Sequence, residues 1–223
     1  MTTLNLAVSA SADDAWQNQA GTVSVTATEM GAEMDANTEW IGLRFPNATI
    51  PSGSTINSAV PTVEPTSNAQ DEPQIDIFCA DVDNAAQFTT ANNSISGLAR
   101  TTATVQWLSS NLGASGTSRH AVTDIASCVQ EVVDRAGWAS GNAIAVIMRG
   151  GALGFGTRDL TIKSYDSSSA DAATLDIDYT APTTAVQQTV ALAWHVRKAV
   201  LDTQTSAWNV RAAIRSTKAS AWN

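Results

Sequence analysis

Through most of the first 180 residues, apolar side chains recur at every second position. Leu4, Leu6 and Val8 alternate with Asn5, Ala7 and Ser9, and Val23 and Val25 repeat the pattern after the turn-forming run SADD. A period of two sends successive side chains to opposite faces, so each run predicts a half-buried strand. WIGLRF, Trp40 to Phe45, is a third strand that Pro46 is expected to stop, and Ile56 to Val63 is a fourth, placed at a sheet edge by Pro61. Further strands are expected at Pro73 to Ala80, Thr101 to Trp107, Asp159 to Tyr165 and Ala173 to Tyr179. In the last of these Leu175, Ile177 and Tyr179 share one face, which leaves Asp176 and Asp178 to water.

Between Val122 and Met148 the period changes. Ile125, Cys128, Val129, Val132 and Ala136 fall three or four apart and make one stripe of a helix, with Gln130, Glu131 and Asp134 on the other side. Thr123 suits the cap, Asp124 the positive end of the dipole and Arg135 the negative end, so the helix is expected from about Asp124 to Arg135. Gly137 then offers a left-handed stop, with Trp138 folding back as its apolar cover. Ala143 to Met148 is continuously apolar and of strand length, which predicts a strand buried on both faces. Eight or nine short strands with one helix predict an all-β fold, an antiparallel two-sheet sandwich with one packed α-helix.

After Thr180 the pattern breaks, dividing the chain into a body, 1–180, and a tail, 181–223. Ala181 and Pro182 open a linker, and Trp194, Trp208 and Trp222 then follow 14 residues apart, the first two opening Trp-x-Val-Arg units. Leu192, Trp194 and Val196 alternate as on a strand, as do Trp208, Val210, Ala212 and Ile214, while Val190, Trp194, Arg197 and Leu201 also fit a helical stripe. The strand reading makes the tail a β-strand repeat. A 14-residue unit cannot shelter its own tryptophan, so such units need neighbours. Trp194, Val196, Arg197, Trp208, Val210, Arg211 and Trp222 are therefore the candidate assembly and anchoring residues.

Charge sharpens this division. Five basic residues against Asp202 alone give the last 43 residues a charge of +4, so the net −9 of the chain places −13 on the first 180. An acidic body repels nucleic acid and anionic membrane, whereas the basic tail suits an acidic protein surface. Cys79 and Cys128 form no metal spacing or disulfide framework and read as two buried thiols. The N-terminal MTTLNLAVSASADD lacks the pattern of a signal peptide, and no stretch reaches the ~18 apolar residues of a membrane span. Synthesis and retention in the cytoplasm are expected.

No catalytic residue is assigned. His120 and His195 are the only histidines, and no motif of nucleophilic, metal-hydrolytic or phosphate-binding chemistry is present. Asp13 with Asp14, and Asp81 with Asp83, read as solvated turn residues, and GGALGFG at 150–156 as a hairpin loop. Oxygen ligands for a structural calcium ion would come from Asp71, Glu72, Asp81 and Asp83; no other cofactor is expected. Trp16, Trp40, Phe155 and Tyr165 are candidates for stacking on a sugar ring, while Trp107 and Trp138 read as core closure.

The order NATIPSGSTINSA, DNAAQF, RTTATVQW, DIASCVQEVVDRAGWASGNAIAVIM and KSYDSSSADAATLDIDY resembles the jelly-roll modules of the DNRLRE and carbohydrate-binding-module type. Such modules occur in secreted bacterial polysaccharide-active proteins and in bacteriophage structural proteins. The tail resembles the short AWNVR-type repeats that end phage-encoded virion proteins. Together the resemblances imply a jelly roll over residues 1–180 in a non-enzymatic virion protein, of the capsid-decoration or head- or tail-fibre kind. It would be made in the host cytoplasm and held by its tail to other virion proteins or sister copies as a homo-oligomer, with host-surface glycans as a further partner. The alternative is a glycan-binding module of a secreted or cell-surface bacterial protein, and a hydrolase is a third reading, disfavoured by the sparse histidines.

Overall fold

The computed structural model describes residues 1–32, 38–66, 74–108, 119–150, 160–182 and 204. Two compact units divide the chain, Met1–Pro182 and Thr183–Asn223. The candidate tail residues, with Phe155, Asp71 and Glu72, lie outside the described residues.

Among the described residues twelve strands pair antiparallel throughout. A six-stranded sheet has the order β3 (Val23–Ser24), β2 (Asp14–Gln17), β5 (Trp40–Ala48), β10 (Asn142–Gly150), β7 (Gln74–Cys79), β8 (Val105–Leu108). A four-stranded sheet has the order β1 (Thr2–Ala7), β12 (Thr174–Thr180), β6 (Thr55–Val63), β9 (His120–Ala121). The pair β4 (Glu29–Ala32) and β11 (Leu160–Lys163) stands apart. The main core packs Leu6, Ile56, Val63, Leu175 and Ile177 of the smaller sheet against Ile41, Leu43, Phe45, Ile75, Ile77, Ile144 and Val146 of the larger. The architecture is thus mostly β and sandwich-like, as the alternation predicts. Residues 143–148 are buried without a break because β10 lies at the centre of the larger sheet, with β5 and β7 beside it and apolar clusters on both faces.

Two prolines show how a ladder accommodates a missing donor. Pro46 does not end β5: Asn142 pairs with Ala48 and Ile144 with Phe45, so Pro46 and Asn47 together oppose Ala143 in a bulge. Asn47 there takes a left-handed φ of 58°. A bulge is where a strand tolerates proline. Pro61 lies within β6, between β12 and the two-residue β9. Its carbonyl accepts from the Val122 amide at 2.8 Å, on the β9 side. The N–H and C=O of one strand residue point the same way, so the missing donor falls on the lightly paired side and spares the β12 ladder.

The helix α1 is shorter than expected, Ala126–Val133, and buries Cys128, Val129, Val132 and Val133 together with the preceding Ile125. Ala136, assigned to the stripe, is exposed because the helix has already ended. Its start is held by Asp124 rather than Thr123: Asp124 Oδ1 accepts from Ala126 N and from Ala59 N of β6, each at 2.9 Å. Gly137 is not a left-handed stop; it lies against the Asp83 carboxylate, which a Cβ there would force to shift. Trp138 does fold back, buried, and its Nε1 donates to Ile50 O at 3.0 Å. Among the described residues no helix is long and apolar enough to cross a membrane.

Candidate functional site

The described aromatic candidates do not form one platform. On β2, Trp16 turns toward the main core and its Nε1 donates to Glu39 Oε2 at 3.1 Å. Trp40 is buried on the opposite face of the same sheet, 6.3 Å from the Phe78 ring centroid. The Arg100 and Arg149 guanidiniums lie 5.1 and 5.6 Å from its ring centre, so cation–π contacts occupy the indole that a sugar would need. Arg149 is also tied to Asp76 at 2.5 Å. Tyr165 is half-buried against the main core, and its backbone N–H donates to Asp14 Oδ2 at 2.7 Å.

The acidic candidates are likewise engaged. Asp81 and Asp83 grip Arg135, the latter at 2.7 Å from Nε, so a guanidinium stands where a shared cation would sit. Among the described residues no three metal-ligating side chains gather. Asp13 and Asp14 are not solvated turn residues. Ser11–Asp13 forms a single 3-10 turn, Asp14 opens β2, and both carboxylates are only 2% exposed. Asp13 meets Arg44 Nη1 at 2.5 Å and accepts from Ser9 Oγ and Gln87 Nε2 at 2.9 and 3.3 Å. Among the described residues no cation pairs with Asp14. Burial pushes its pKa up to about 7, Asp166 and Asp13 add to the rise, and the Tyr165 N–H opposes it. Both thiols are buried in the main core and pushed up by that burial. His120 lies on the edge strand β9, half-buried.

What the structure assembles instead is a cavity of about 310 Å³ on the outer face of the larger sheet. Its floor is small: Ala80 beyond the end of β7 and Ala145 of β10, joined by an Ala80 N to Ala145 O bond of 2.8 Å. The walls come from Val82, Asn84 to Thr89, Ser94 and Leu98, all on the strand-free segment 81–99. Among the described lining residues no side chain is charged, so the hollow suits an uncharged group.

Hydrogen bonds hold this segment rigid. Beyond the end of β7, Ala85 N donates to Ala143 O at 3.0 Å and Ala143 N to Asn84 Oδ1 at 2.9 Å, which continues the pairing of β10 by other means. Arg44 Nε donates to Ala85 O at 2.8 Å. Further on, the buried Gln17 side chain accepts from Ile95 N and Ser96 N at 3.1 and 2.9 Å and donates to Ser96 Oγ at 2.7 Å. Phe88 lies over Gly42, where an added Cβ would be 2.5 Å from the ring, so the absent side chain is what seats it. None of these wall residues was among the candidate site residues that the sequence suggested. The available signal was small residues, Gly42, Ala80, Ala143 and Ala145, in strands otherwise made of large ones. Neither a protein-family model nor a curated protein matches this sequence.

Proposed function

We propose that the chain is a non-enzymatic structural protein of a bacteriophage virion, in which residues 1–180 form a displayed jelly-roll module and the C-terminal repeats attach it. The observation that carries this reading is the recurrence of tryptophan at 194, 208 and 222 on a +4 segment that follows a −13 body. The described body is a compact unit with its own core and spends its charged groups internally: Arg44 on Asp13, Arg135 on Asp81 and Asp83, Lys163 on Asp171 at 2.8 Å. Two of those pairs tie irregular segments to strands and the Arg135 pairs join the end of α1 to the segment after β7, the work of a rigid display module. The neutral cavity favours a second reading, a glycan-binding module, because amide and hydroxyl groups beside an aromatic ring suit a sugar.

Sedimentation of the full chain and of residues 1–182 separates them. The full chain is expected to be an oligomer and the shortened chain a folded monomer. A full chain that sediments as a monomer, or a shortened chain that assembles equally, would remove the tail from the account. Nanomolar or micromolar sugar binding by a monomeric full chain would favour the glycan reading.

A further inference from the structure

The cavity under residues 81–99 and the tryptophans of the repeats are chemically complementary. The described lining of the hollow is uncharged, and the repeats carry large apolar rings at intervals of 14 residues. We propose that the cavity is the seat for a repeat tryptophan, Trp194 or Trp208, of a second copy of the chain, so that copies join head to tail. The inference rests on the reading of residues 183–223 as an anchoring tail.

Chemistry favours this occupant. An indole is apolar but for one N–H donor, and the oxygens of Gln87 and Thr89 at the exposed rim can accept it. Each of these two tryptophans is followed three residues later by an arginine, Arg197 or Arg211. Asp81 and Asp83 flank the wall residue Val82; each gives Oδ1 to Arg135 and Asp83 Oδ2 lies against Gly137, so an incoming guanidinium would join this cluster from its exposed side. Their side chains are 35% and 46% exposed, so an arginine outside the cavity can reach them. The −13 body attracts a +4 tail and repels another body, which selects body-to-tail over body-to-body contact. A contact between two different surfaces of like chains is heterologous and builds rings or filaments rather than closed pairs.

The test titrates full-length protein and the 1–182 body with a fluorescent synthetic peptide of residues 205–218. Saturable binding to the body is expected, weakened about tenfold or more when the peptide carries Trp208→Ala. Ala86→Trp in the body, which fills the cavity from an exposed lining position, is expected to weaken it as much, with the thermal midpoint unchanged. Ala145→Leu fills the cavity from its floor and serves as a second variant, with circular dichroism reporting its fold. Peptide affinity that ignores both fillings, or a neutral disaccharide that binds the cavity while the peptide binds elsewhere, would overturn this seat. In those cases tail-dependent sedimentation would still stand, so failure here is distinct from failure of the anchoring role.

Discussion

The two faces of the six-stranded sheet are built on different principles. Toward the smaller sheet it presents Ile41, Leu43 and Phe45 from β5, Ile75 and Ile77 from β7, and Ile144, Val146 and Met148 from β10, all fully buried. On the outer face the same three strands, with Ala80 just beyond β7, place Gly42, Ala80 and Ala145 among Trp40, Phe78 and Ile147, and the cover is an irregular segment instead of a sheet. The inner face is held by filling volume. The outer face packs a smaller apolar cluster, and hydrogen bonds from Gln17, Asn84 and Arg44 fix the cover and leave a hollow beneath it. Close packing leaves little room for a ligand, whereas a cover pinned at points can span a void; the hollow of this body therefore lies on its less densely filled side.

The contrast can be broken most severely from within. Ile144→Ala removes a fully buried side chain from the inner face and is expected to cost about 2–5 kcal/mol, seen as a lower denaturation midpoint at unchanged slope. A loss below about 1 kcal/mol would mean that the inner face relaxes as easily as the outer.

The next effect concerns the inner face's polar intruder, Asp14. Its folded pKa, about 7 against an ordinary 3.8, means that the folded state holds the proton more tightly. Its stabilising contribution is therefore complete below the ordinary pKa and disappears as pH rises toward 7, a ceiling of about 4 kcal/mol. Asp14→Asn keeps an acceptor for Tyr165 N–H without the buried charge. It is expected to raise the thermal midpoint at about pH 8 and to leave it nearly unchanged at about pH 4. An equal change at both would show that the carboxylate is not the source.

On the outer face, Gln17→Leu strips acceptors from Ile95 N and Ser96 N. The expected cost is about 1–3 kcal/mol. Hydrogen exchange should quicken at those two amides while the amides of β10 keep their protection. Uniform loss of protection would indicate that cover and sheet open as one unit, contrary to the distinction drawn here.

Much of the fold was legible in the chain because one-sided burial writes itself as alternation. Leu175, Ile177 and Tyr179 are buried on β12, while Asp176 is exposed and Asp178 half-exposed, and the unbroken run 143–148 is the doubly covered β10. The stripe of α1 read correctly from Ile125 to Val132 and failed at Ala136, since a helix end depends on caps that Asp124 and the Asp83 contact decide from elsewhere in the chain. The short strands β2, β4 and β9 escaped notice, two to four residues being too few to show a period.

The candidate site was scarcely legible at all. Sequence alone determined most of the longer strands, the helix α1, the buried thiols and the separation of an acidic body from a basic repeat tail, because each depends on local period or on composition. Tertiary structure alone decided that Asp13 and Asp14 are buried, that Asp81 and Asp83 hold Arg135, that Trp16 and Trp40 face opposite ways, and that Asn84 to Thr89 wall a cavity over Ala80 and Ala145. Each of these results depends on residues far apart in the chain meeting at short range. Hydrogen bonds, ion pairs and the space left by a missing side chain follow from that meeting, and no local pattern records it.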